Sequence, residues 1–199
     1  EAYWLDEEDV KDLTDISATS ADDVIIQHLE EVFVKQVDLI LSEKEVKKCI
    51  QLVESSDAVS VSDLLTRLTK EDIRQVFVNL IREKVSIKDI LLVFRLLLKF
   101  SNFLTKPSEL SERLRTELGR QICLQNINKE KTLYALTLSS ELEDLLYNTC
   151  QTTEYCRMFM LTQQQIQSLV NSTAKILLEA HKKINTQPVI LCTPKIRLA

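Results

Sequence analysis

Residues 90–100, ILLVFRLLLKF, set the strongest constraint on what this chain can fold into. Ile90, Val93, Phe94, Leu97 and Leu98 recur at helical spacing and form one face, which Leu91, Leu92 and Leu96 widen almost all round. A helix with so little polar surface is expected to lie buried between neighbours, at the centre of a helical core. Arg95 and Lys99 interrupt the run, which is far shorter than the ~20 apolar residues a membrane span needs.

The neighbours are legible on either side. Ile25, Leu29, Val32, Phe33, Val37 and Ile40 form one amphipathic helical pattern, and Ile73, Val76, Phe77, Leu80 and Ile81 form another. Leu110, Leu114, Leu118 and Ile122 make a narrower stripe on a helix opened by Pro107 and Ser108 and running to about Leu124. Its other faces carry Arg115 and Arg120. On outward faces, reversing both charges should leave melting nearly unchanged.

After about residue 126 the pattern changes. Residues 132–138 (TLYALTL), 156–161 (CRMFML) and 189–192 (VILC) are apolar runs of strand length, separated by helical patterns near 140–151 and 162–184. The polar stretch NINKEK at 126–131 marks a boundary. The expected class is α+β, predominantly helical, with a helical subdomain followed by a small mixed α/β subdomain.

The chain punctuates its helices with recurring cap signals. In VSIKDI, taking Ser86 as N-cap puts Asp89 at N3 in a short-armed capping box, with Val85 and Ile90 as hydrophobic staple. The same spacing recurs at Ser42 with Glu45, Ser140 with Glu143 and Thr162 with Gln165. Ser86 and Asp89 are therefore read as structural, and a serine hydrolase would still need a positioned base that this stretch lacks.

Several chemistries have no raw material here. Gly119 is the only glycine of the 199 residues, so neither a phosphate-cradling loop nor a nucleophile elbow can be written. The two histidines, His28 and His181, lie far apart and pair with no cysteine at zinc spacing. A net charge of −5 without a lysine or arginine run gives nucleic acid no electrostatic purchase. The acidic residues crowding the first 30 positions read as a solvated face in preference to a docking surface for a basic partner. Five cysteines, an odd number with no CxxC, fit buried thiols in the cytoplasm. No enzyme, metal or cofactor is expected. A chain opening on Glu1 without a signal peptide is expected to be a piece of something longer.

Four motifs then stand out: IIQHLEEV (25–32), NLIREKVSIKDILLVF (79–94), SERLRTELGRQI (111–122) and QPVILCTPKIR (187–197). In this order and spacing they resemble the cytoplasmic part of the large export-gate protein of bacterial type III secretion. That family includes flagellar biosynthesis protein A, invasion protein A and low-calcium-response protein D. The resemblance implies three pieces: 1–23 as the tail of the family's first cytoplasmic subdomain, 24–126 as its helical third subdomain, and 127–199 as its α/β fourth, truncated. It implies a nonameric ring on the cytoplasmic face of the inner membrane, anchored only through a missing N-terminal region. The implied partners are other copies of the chain, further export-apparatus proteins, and chaperones carrying their substrates for ordered export. The implied subunit interface includes Lys88, Arg115 and Arg120. Two departures matter: residues 14–23, TDISATSADD, lack the family's glycine and short strand, and Lys88 stands where arginine is usual, losing a planar bidentate fork. The alternative from another class is a helical adaptor or scaffold unrelated to secretion.

Overall fold

The computed structural model describes residues 19–128, 130–152, 157–184 and 188–197. Its first part is a series of helices: α1 (Ala21–Lys35), α2 (Val37–Ile40), α3 (Glu43–Glu54), α4 (Ala58–Arg67), α5 (Lys70–Arg82), α6 (Ile90–Phe100), α7 (Pro107–Glu117) and α8 (Gly119–Asn126). The second part runs β1 (Ala135–Thr137), α9 (Ser140–Thr149), β2 (Cys150–Thr152), β3 (Arg157–Phe159), α10 (Gln163–Ile184), β4 (Val189–Leu191) and α11 (Pro194–Arg197). The class is α+β and predominantly helical, as the periodicities predict.

Side-chain caps start most of the early helices by satisfying N–H groups that have no partner within the helix. Ser20 Oγ accepts from Asp23 N–H at 3.1 Å, and Asp57 Oδ1 accepts from Ser60 N–H at 3.1 Å. Thr69 and Asp72 form a full capping box, with Asp72 N–H donating to Thr69 Oγ1 and Thr69 N–H donating to Asp72 Oδ2. Thr162 and Gln165 form the same reciprocal pair at 2.8 and 3.3 Å, and Ser42 caps α3, both where the sequence places them. At α9 the cap is Ser139 rather than Ser140, because Ser139 holds the extended backbone a cap needs and Ser140 is already helical.

The main core gathers the inner faces of α3 to α7. Phe77, Ile73, Leu80, Leu97, Leu110 and Leu114 are completely shielded from solvent. The rings of Phe77 and Phe94 meet edge to face, with centroids 6.0 Å apart at 63°. Helix α6 is less enclosed than its composition implies: Leu96 is buried, but Leu91 and Leu92 are each 37% exposed.

Two single-helix expectations are corrected. The pattern from Ile25 to Ile40 breaks at Gln36, whose backbone leaves the helical region, and no residue of α1 is buried: Ile25 and Phe33 are each 55% exposed. The helix from Pro107 breaks at Leu118, which is buried in the core while Gly119 opens α8 in open space.

The second part holds two small sheets. Strand β1 pairs with β4 in parallel, Ala135 opposite Val189, and β2 pairs with β3 in antiparallel, Cys150 opposite Phe159. Strand β2 lies where the sequence read only a helix end. Helix α11 packs beside α9: Lys195 Nζ sits 3.5 Å from the Tyr147 ring centroid and donates to the Tyr147 carbonyl at 3.0 Å. Cys150 is buried, Cys49 and Cys192 are half-buried with thiol pKa values raised by burial, and Cys123 is exposed, which corrects the reading of uniformly buried thiols. Cys156 and residues 14–18 lie outside the described residues. Among the described residues no helix is long and apolar enough to cross a membrane.

Candidate functional site

The segment 83–89 between α5 and α6 is where the sequence-predicted residues gather. Helix α5 ends by reversing sharply: Lys84 N–H donates to the Ile81 carbonyl at 2.8 Å and Val85 N–H to the Leu80 carbonyl at 2.9 Å. This is a Schellman closure, and it forces Lys84 to φ 55°, a region that glycine occupies without steric cost. The closure turns Val85 into the core, where it is 3% exposed, and Ile87 packs beside it. Lys84→Gly is therefore expected to stabilise the chain by about 0.5–1 kcal/mol, read as a higher denaturant midpoint; an unchanged or lower midpoint would contradict the strain argument.

From that turn the chain runs through 86–89 without helix or strand, and α6 begins at Ile90, one turn later than the sequence predicts. The N-cap is Asp89, whose Oδ1 accepts from Leu92 N–H at 3.0 Å. Ser86 is not the cap. Its Oγ accepts from Lys88 N–H at 3.3 Å in a local turn, and its carbonyl accepts from Gln121 Nε2 at 3.3 Å. In this non-helical stretch Ile87 is partly buried against the core. Asp89→Ala should thus cost about 1 kcal/mol and Ser86→Ala distinctly less. Equal losses in paired denaturant melts would restore Ser86 as the cap.

Four charged side chains meet against the start of this segment. Arg197, on α11, donates from Nη1 to Glu83 Oε1 at 2.8 Å and from Nε to Glu112 Oε2 at 2.8 Å, with Nη2 also on Glu112. Arg115 Nη1 lies 2.7 Å from Glu83 Oε2, out of line for a hydrogen bond. Glu83 therefore stands between two guanidinium groups, and Glu112 is only 13% exposed. Burial alone lowers the Arg197 pKa, but the hydrogen bonds from Glu112 and Glu83 outweigh it, so the net direction is upward and the charge is locked on. This cluster fastens the end of the α/β part to α5 and α7.

Among the sequence-predicted interface residues, Arg115 turns inward to this cluster and is 19% exposed, so reversing its charge would set two carboxylates against each other. The expectation that both arginines face outward, so that reversing them leaves melting nearly unchanged, is corrected for Arg115 on that ground. Lys88 and Arg120 are exposed and have no ion-pair partner among the described residues. Sequence reading missed Arg197 and Glu112 as partners; the available signal was the lone arginine closing QPVILCTPKIR. Among the described residues no group of three potential ligands could hold a metal ion.

What converges here are caps, a helix closure and ion pairs that hold parts of the chain together. The profile of the FHIPEP family matches residues 1–199, and the chain belongs to that family. It is similar to the flagellar biosynthesis protein FlhA of Bacillus subtilis, at 26% identity over 99% of this chain and 29% of the relative. It is also similar to FlhA of Treponema pallidum, at 27% over 100% and 29%, and of Escherichia coli, at 30% over 71% and 20%. The chain thus spans under a third of the length of these curated relatives. Among solved structures it superposes on the Shigella flexneri MxiA protein with a TM-score of 0.77 at 19% identity, covering 90% of this chain and 58% of that one. A nonameric EPEC SctV-C gives 0.72 at 17%, covering 94% and 64%. The Chlamydia pneumoniae CdsV and CdsO complex gives 0.69 at 19%, covering 96% and 56%. The resemblance to the type III export-gate family carried by the four motifs is borne out by these matches.

Proposed function

We propose that this chain is the cytoplasmic, ring-forming part of a type III secretion export gate, one that takes part in recognising chaperone-bound substrates and ordering their export. The family match along residues 1–199 carries the reading. The nonameric assembly of one structural relative supports a ring, and the CdsV–CdsO complex supports contacts with other export-apparatus proteins. In this reading 1–23 belongs to a preceding subdomain, 24–126 is the helical subdomain that touches neighbouring subunits, and 127–199 is the α/β subdomain. Lys88 and Arg120, exposed and unpaired within the described residues, are subunit contacts, and Arg115 serves them indirectly by holding Glu83 at the root of segment 83–89. The full-length protein sits at the inner membrane of a flagellar or virulence system.

The test is made on the full-length protein in the bacterium that encodes it. Deleting the stretch equivalent to residues 1–199 should remove type III substrates from the culture medium and leave other secreted proteins at normal levels. Unchanged secretion of those substrates would sink the reading.

A further inference from the structure

The two parts of the chain share little apolar surface. Among the described residues, every extensive packing between elements lies within α1 to α8 or within the part from β1 onward. The main apolar cluster takes no member from the second part, and the buried Leu146, Cys150 and Ile196 stand outside it. What crosses the joint is charge: Arg197 on α11 reaches Glu83 at the end of α5 and Glu112 on α7. Breaking such a pair is costly because a charge is left uncompensated, so an ionic joint opens readily only where a second partner waits.

For Glu83 that partner is present. Its Oε1 accepts from Arg197 Nη1 at 2.8 Å, while its Oε2 lies 2.7 Å from Arg115 Nη1, out of line for a hydrogen bond. The Arg115 Nη1 is thus a buried donor without an acceptor, a state that a folded chain keeps at a cost. Released from Arg197, the Glu83 carboxylate needs only a rotation of its own side chain to align with that donor, and a guanidinium accommodates a carboxylate through two parallel bonds. Glu112 loses Arg197 in the same motion but gains water as α11 departs. Glu83 is also the C-cap of α5, and Lys84 beside it holds φ 55°, so the carboxylate that changes partner stands at the root of segment 83–89.

We propose that Glu83 is a two-position switch. Paired with Arg197 it holds the α/β part against α5 and α7; paired with Arg115 it lets that part swing away while the helical core stays closed. The two arrangements exchange one ion pair for another, which is what makes both accessible to the same chain. The device belongs to the chain's own two parts and stands or falls independently of the export reading.

Cys192 reports the state of the joint. It is half-buried; burial raises its thiol pKa, Arg197 pulls it down, and Glu112 and Glu143 push it up, so the thiol lies within reach of the charges that cross between the parts. Cys49 is half-buried against the main core and serves as the internal control.

The full-length protein, in membranes from the bacterium that encodes it, is alkylated with N-ethylmaleimide, and the rate at each cysteine is read by peptide mass spectrometry. Arg197→Gln should speed Cys192 by about tenfold or more, because the pair that holds the joint is gone, while Cys49 keeps its rate. Arg115→Gln separates a switch from a plain clamp. Without Arg115 the open arrangement has no partner for Glu83, so Cys192 should react about threefold more slowly than in the parent, the scale of a partly exposed ion pair. A clamp that Arg115 merely reinforces would loosen instead. An Arg115→Gln rate at Cys192 that rises or stays unchanged overturns the switch. Cys49 accelerating together with Cys192 in Arg197→Gln also overturns it, since the joint would then open only with the core.

Discussion

Phe77→Ala is expected to lower stability by about 3–5 kcal/mol, the cost of removing a fully buried phenyl ring and leaving its cavity. Phe77 has no solvent exposure and meets Phe94 edge to face at 6.0 Å, so the substitution also removes an aromatic pair on α6. The helices α3 to α7 share one continuous cluster and should lose their structure together. Against a total stability of about 5–15 kcal/mol, a large share of the chain would be unfolded at modest denaturant. Equilibrium denaturation followed by circular dichroism checks this. A loss under 1 kcal/mol would mean that the core closes over the gap, and that Phe77 is not the centre assigned to it.

Arg197→Glu has the second large effect, and a different signature. The substitution sets a third carboxylate against Glu83 and Glu112, of which Glu112 is nearly enclosed. Breaking a buried ion pair costs about 3–5 kcal/mol, and partial exposure brings the expected figure here to about 2–3 kcal/mol. The loss should fall on the α/β part, because Arg197 belongs to α11 and none of its interactions enters the main core. Hydrogen exchange should then accelerate in β1, β4 and α9 while α5 and α6 keep their protection. Uniform acceleration along the chain would show that the cluster supports the whole fold instead of fastening one part to another.

The parts of this structure written in local pattern were legible in the sequence. The inner stripes of α5 and α7 repeat every three or four residues, and Phe77, Leu80, Leu110 and Leu114 are buried as that spacing requires. Cap residues announced themselves too, yet with an ambiguity of one turn at α6. Ser86 and Asp89 both favour caps, and what separates them is the burial of Val85 and Ile87, a tertiary fact. The three residues of β2 are too few to show alternation, so pairing with β3 defines that strand. The Arg197–Glu83 contact joins positions 114 residues apart, and no local pattern reports such a distance. Helix α1 shows the converse limit: its periodicity marks an apolar face, but periodicity does not say what covers that face, and Ile25 and Phe33 are exposed.

As proposed, this chain works as one subunit of an export-gate ring. The most direct measurement is the copy number of the full-length protein extracted from its membrane, by native mass spectrometry or by class averages in electron microscopy. The proposed function predicts a closed ring, nonameric like the structural relative that superposes on 94% of this chain. A stable monomer, or a two-fold dimer closed through identical faces, would contradict it.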